Sequence, residues 1–165
     1  MRASFHNRKN GFTLLLAVLI STLLLSIGLA ILDLAIKELN LSSAGRESQF
    51  ALYAADTGTE CALYWDLQQR AFATTTPRAI FCAGNQVVDP NTGSPTTVGG
   101  PGSITSPTGG QSVFGINLAP QPYCAIVTLT KTFLPQQITT LESRGYNTCD
   151  TGNKRRVERG IRVSY

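Results

Sequence analysis

Apolar and polar positions divide this chain into an unbroken apolar run, a periodic charged segment, a breaker-rich stretch and an alternating C-terminal region. From Phe12 to Leu32, 21 residues pass without a charge, and Arg2, Arg8 and Lys9 stand before them. As a helix this run spans about 31 Å at 1.5 Å per residue, enough to cross the hydrocarbon of a bilayer. It exceeds the roughly 7–15-residue apolar core of a secretory signal peptide. A basic flank on this side predicts a cytoplasmic N-terminus with the rest of the chain outside.

The run passes without a helix breaker into a segment bearing Asp33, Lys37, Glu38, Arg46, Glu47, Asp56 and Glu60. There Phe50, Tyr53, Ala54, Thr57, Cys61, Tyr64 and Trp65 fall at offsets 0, 3, 4, 7, 11, 14 and 15, a single stripe of a 3.6-residue helix. The pattern predicts one continuous helix from about Phe12 to about Gln69, weakened near Gly28 and Gly45. Residues 12–32 form its transmembrane half, and residues 33–70 its exposed half, which carries a globular region over 71–165. Ala17/Ser21 and Ser26/Ala30 have the small-xxx-small spacing that permits close helix approach.

Residues 83–112 hold seven glycines, four prolines and nine Ser/Thr residues among 30, and predict a flexible loop without regular structure. Gly99-Gly100-Pro101-Gly102 is no phosphate loop, because it contains a proline and follows no strand. Alternation returns beyond it. Tyr123, Ala125, Val127, Leu129 and Phe133 interleave with Ile126, Thr128, Thr130 and Thr132 in a β-branched run. A second run covers Ile138 to Tyr146, and a third, Arg156 to Tyr165, sets Val157, Ile161, Val163 and Tyr165 on one face with Arg159 among them. Val113 to Leu118 adds a short edge strand. An antiparallel sheet over 121–165, packed on the helix face around Phe50–Trp65, follows, and the fold class is α+β.

Composition narrows the chemistry. The net charge of +4 arises from 14 basic and 10 acidic residues, but three of the basic ones precede Phe12 and leave +1 beyond it. That balance excludes a strongly basic nucleic-acid-binding fold. Cys61, Cys82, Cys124 and Cys149 form an even set, and in an exported domain they predict two disulfides. Three connectivities are open. Cys61–Cys82 and Cys124–Cys149 each close a local loop, worth about 3 kcal/mol apiece on the chain-entropy account. No pair has C-x-x-C spacing, and the single histidine, His6, precedes Phe12, so neither a metal centre nor a cofactor site is expected. The same histidine count removes Ser-His and Cys-His nucleophile pairs, and no enzyme activity is expected. Asp56 and Glu60, four apart on a helix, read as a solvated face. Arg144, Lys154, Arg155, Arg156, Arg159 and Arg162 gather six bases against two acids over residues 144–162. They form either a basic surface patch able to meet phosphate or a sheet edge guarded by charge.

Arg8-Lys9-Asn10-Gly11 followed by Phe12-Thr13-Leu14 resembles the class III leader of type IV prepilins and pseudopilins. The resemblance implies a leader over residues 1–11, cleavage between Gly11 and Phe12 by prepilin peptidase, and N-methylation of Phe12. A long N-terminal helix is that family's architectural hallmark. Most such pilins carry Glu at the fifth residue after the cut, where this chain has Leu16. Its absence is similar to PilX-type minor pilins and tip pseudopilins. Phe50-Ala51-Leu52-Tyr53-Ala54-Ala55-Asp56 also resembles the F-x-A-A-E motif of PilX-type N-terminal regions, with one extra residue and Asp for Glu.

The resemblance implies a pilin-like structural minor subunit of a type IV pilus or related filament. Its partners would be other pilin subunits, prepilin peptidase and, before assembly, the membrane, with DNA as a further partner known for some minor pilins. It would be a single-pass protein of the cytoplasmic membrane with an extracytoplasmic C-terminal domain, reaching the cell surface after assembly. The competing expectation is a signal-anchored or secreted binding protein outside any filament, with Gly28-Leu29-Ala30 as a cleavage site releasing a domain from Ile31.

Overall fold

The computed structural model describes residues 10–73, 76–100, 109–133 and 135–165. Helix α1 runs from Asn10 to Leu63, 54 residues without interruption, because no proline occurs before Pro77. The chain divides into two compact units, Met1–Ala44 and Gly45–Tyr165. Residues 1–9, most of the leader expected over residues 1–11, lie outside the described residues.

The described part of the first unit is helix alone. Every side chain from Phe12 to Ser42 is exposed, and Phe12 reaches 72%. The polar groups within this apolar stretch are satisfied locally. Ser21, Thr22 and Ser26 donate to the carbonyls of Ala17, Leu19 and Leu23 at 2.7–2.9 Å. That internal satisfaction is what a spanning helix requires, since hydrocarbon offers no partner. The helix is long and apolar enough to cross a membrane. The structure is therefore consistent with one membrane pass near the N-terminus.

In the second unit, four antiparallel strands form a meander in the order β3-β4-β5-β6, with β3 Gly109–Asn117, β4 Cys124–Thr132, β5 Ile138–Tyr146 and β6 Glu158–Ser164. The two C-terminal hairpins match the alternation in the sequence. The edge strand begins at Gly109 rather than Val113 and pairs along its whole length with β4. Phe114, Ile116, Val127, Leu129 and Leu141 point into the core with Phe72, Ile80, Val87 and Val98. Phe72 stacks on Phe114 with ring centroids 5.7 Å apart.

The helix face turned to the sheet differs from the expected one. Ala51, Ala54, Ala55, Gly58, Thr59 and Ala62 are buried, while Tyr53 and Tyr64 are exposed and Phe50 is half-buried, stacked on Tyr123 at 4.8 Å. These buried positions are also spaced three and four apart, so periodicity alone fits both faces. Close approach decides between them. A Cβ on Gly145 would overlap the Ala51 carbonyl and the Ala55 amide, and one on Gly58 would overlap Ser143 Oγ. Backbone this near backbone leaves no room for an aromatic ring, so the small stripe turns inward.

The breaker-rich stretch is also more ordered than its composition suggests. Where it begins, β2 Asn85–Gln86 pairs back on β1 Phe81–Cys82 in a hairpin through Ala83 and Gly84, both at positive φ. Val88 exchanges both backbone hydrogen bonds with Gly115 at 2.7–2.9 Å, and Val98 does so with Arg78 at 2.8–2.9 Å. Buried Val87 and Val98 anchor the stretch in the core. The expectation of a flexible loop over 83–112 is thus corrected for residues 83–100 and 109–112, and residues 101–108 lie outside the described ones. Three valines spread over a polar stretch leave no run or period to detect.

Candidate functional site

The Gly11–Phe12 junction lies in the first turns of α1, with the backbone helical from Asn10. Beyond it the large apolar side chains Leu14, Leu15, Val18, Leu19 and Leu25 form an uncovered surface. Small positions open a shallow groove within it, lined by Leu14, Ala17, Val18, Ser21, Thr22 and Leu25. Leu16, the fifth residue past the junction, is exposed with its neighbours. The helix continues unbroken through Gly28-Leu29-Ala30, where the secretory reading places a cut.

Of the four cysteines, Cys61 and Cys82 are bonded, with Cα atoms 5.8 Å apart. The bridge ties the last α-helical turn to β1. Trp65 Nε1 reinforces it by donating to the Phe81 carbonyl at 3.1 Å, and the Arg78 guanidinium lies 5.2 Å from the Trp65 ring centroid. The expected second bridge is not formed, and Cys124 and Cys149 stand as thiols. They are nevertheless neighbours, because Cys124 opens β4 while the Cys149 amide donates to the Pro122 carbonyl at 3.0 Å.

The six basic residues do not act as one patch. Arg144 pairs with Glu142 at 2.6 Å and faces Glu158 at 3.9 Å, and these carboxylates, Glu142 foremost, hold its guanidinium still more firmly protonated. Arg156 covers the Tyr146 ring at 3.7 Å and donates to the Thr148 carbonyl. Burial, then a hydrogen bond to Glu158, pushes the Tyr146 phenol up. Arg159 Nε donates to Ser48 Oγ at 2.7 Å, so this residue works as a tie to the helix. Among the described residues only Arg144 of the six forms an ion pair, and the side chains of Lys154, Arg155 and Arg162 engage no acid, ring or hydrogen-bond partner. Beside them Asn147 locks the turn to the helix. Its Nδ2 donates to Glu47 at 2.7 Å and to the Arg155 carbonyl at 3.0 Å, while its Oδ1 accepts from the Val157 amide.

One polar cluster escaped the sequence reading. Past Leu63 the helix widens into a π-helical turn, Tyr64–Gln68, which carries Asp66 into the interior. Lys131 of β4 approaches both carboxylate oxygens, at 2.6 and 2.8 Å, and the Tyr165 hydroxyl donates to Oδ2 at 2.7 Å. The side chains of Asp66 and Lys131 are 2% and 10% exposed, so this is an interior ion pair. Burial, followed by the hydrogen bond to Asp66, raises the Tyr165 phenol well above its usual range. Asp66 and Lys131 are 65 residues apart, and only the alternation of β4, which puts position 131 in phase with Val127 and Leu129, hinted at an inward lysine. The cluster floors an open polar pocket that Arg70, Gln137 and Thr139 also line. Within it the Asp66 carboxylate and the Lys131 ammonium satisfy each other directly. Among the described residues, no group of three His, Cys, Asp or Glu side chains is placed to hold a metal.

In comparisons with known proteins, no family model, no curated protein and no solved structure matches this chain.

Proposed function

We propose that this chain is a minor structural subunit of a type IV pilus or a related filament. It is held in the cytoplasmic membrane by residues 12–32, with its sheet domain outside, and is drawn into the filament through the same apolar helix. The observation that carries the reading is the uncovered apolar surface from Phe12 to Leu41, on a helix that goes on without a break to pack its own domain. A plain anchor needs about 20 apolar residues. Here large aliphatic side chains recur to Leu41, past Asp33 and Lys37, as expected of a helix that also packs against other helices.

On this reading prepilin peptidase cuts after Gly11, and Phe12 becomes the methylated N-terminus. Leu16 lacks the carboxylate that would pair with a neighbouring N-terminal amine, which favours a priming or tip position over the repeating body of the fibre. Mass spectrometry of the mature protein tests the proposal. An N-methylated Phe12 is the expected N-terminus. An intact Met1 would make the protein a plain anchor, and a start at Ile31 would make it secreted. Either result overturns the filament reading.

A further inference from the structure

Cys124 and Cys149 meet at one corner of the sheet by a route the backbone fixes. Cys124 lies opposite Tyr146 in the β4–β5 register, and beyond Tyr146 the chain turns back until the Cys149 amide reaches the Pro122 carbonyl. The Cys149 thiol points to that carbonyl at 3.3 Å and lies 4.0 Å from the side-chain oxygen of Asn117, the residue paired with Cys124 across β3 and β4. Their surroundings differ sharply. Cys124 is 8% exposed, whereas Cys149 is open to solvent.

We propose that this pair is the reduced form of a second disulfide, and that oxidation enters through Cys149 with Cys124 as the resolving thiol. The inference does not depend on the filament reading. An external disulfide can reach only the exposed sulfur. Burial first, then the hydrogen bond and charge of Cys149, push the Cys124 thiol up to about 12, partly opposed by Arg156. The thiolate is the nucleophile, so Cys124 does not lead.

With a disulfide oxidant such as oxidised glutathione, Cys149 loses its proton and its sulfur attacks one sulfur of the oxidant. The oxidant's S–S bond breaks, a mixed disulfide forms, and one thiolate leaves. Cys124 then loses its proton and attacks Cys149 Sγ. The mixed bond breaks and the second thiolate leaves, and the two released protons convert both leaving groups to thiols. The protein is oxidised by two electrons, and one disulfide becomes two thiols. The product clamps the start of β4 to the turn that Asn147 holds against Glu47.

The test treats the full chain in detergent micelles with oxidised glutathione and follows intact mass and peptide maps. The wild type is expected to lose both free thiols, fall in mass by two hydrogens and retain no glutathione. Cys124→Ser should stop with one glutathione on Cys149. Cys149→Ser should take up glutathione on Cys124 at least about tenfold more slowly than Cys124→Ser does on Cys149. The proposal is overturned if the wild type keeps both thiols or carries two glutathiones, or if the two variants react equally fast. The wild-type result stands whether or not either variant folds.

Discussion

Residues 12–42 and residues 51–62 belong to one helix, yet they use their apolar positions in opposite ways. In the first stretch leucines, isoleucines and valines are all exposed. In the second the buried positions are Ala51, Ala54, Ala55, Gly58, Thr59 and Ala62, and the larger Leu52 and Tyr53 face solvent. A buried alanine methyl removes little area from water, about 0.8 kcal/mol per carbon group. What the small residues supply is nearness, with helix backbone against Gly145. Bulk in the first stretch has no such limit, because no described residue of the chain packs there. The size of an apolar side chain on this helix therefore separates surfaces that serve the fold from surfaces left for another molecule or a lipid phase.

The largest expected effect lies at the end of the buried stretch. Lys131→Met leaves the Asp66 carboxylate buried without its cation and should cost about 3–5 kcal/mol, read as a fall in denaturant midpoint. A cost below about 1 kcal/mol would show that Asp66 reaches water and that the helix end is looser than described. A paired glycine test goes to the centre of the comparison. Gly145→Ala should destabilise by about 1–3 kcal/mol, since the new methyl meets backbone that cannot rotate away. Gly28→Ala, with nothing within 4 Å, should be neutral or stabilise the helix by up to about 1 kcal/mol. Equal effects in circular-dichroism unfolding would erase the distinction between the two stretches.

The smallest effect concerns pH. The Tyr165 phenol is raised in the folded state, so its contribution is fully present below the unfolded value of about 10. Above that pH the unfolded chain releases a proton that the native one retains, and stability falls as pH rises. The denaturant midpoint of Tyr165→Phe should decline less steeply than that of the wild type between about pH 10 and 11.5. An unchanged slope would remove Tyr165 from the helix-end cluster.

Much of the architecture was legible because it rests on uninterrupted signals. The helix announces itself through the absence of breakers before Pro77, and β4 and β5 through strict alternation. The α+β class and the Cys61–Cys82 bridge followed from those signals and from local loop closure. Other features rest on distance rather than pattern. The helix phase was shifted because Phe50, Tyr53 and Tyr64 outweigh alanines by hydrophobicity, while Gly145, far along the chain, decides which can fit. Ordering of residues 83–100 depends on pairings to Arg78 and Gly115 that composition does not encode. The basic cluster looked uniform as text, yet Glu142, Glu158, Tyr146 and Ser48 engage half of it.

The ties from Asn147 to Glu47 and from Arg159 to Ser48 have a mechanical consequence. They grip the helix just inside the point where its own domain begins to hold it. Within the second unit the helix is held by these two bonds, the close contact at Gly145, the Cys61–Cys82 bridge and the Asp66–Lys131 pair, so a force on its first turns there meets all of them. Attachments loaded in parallel share a force that would break them one at a time in a peel. The helix segment from Gly45 onward is thus fastened to its sheet along its length, with a covalent bond at Cys61 near its far end.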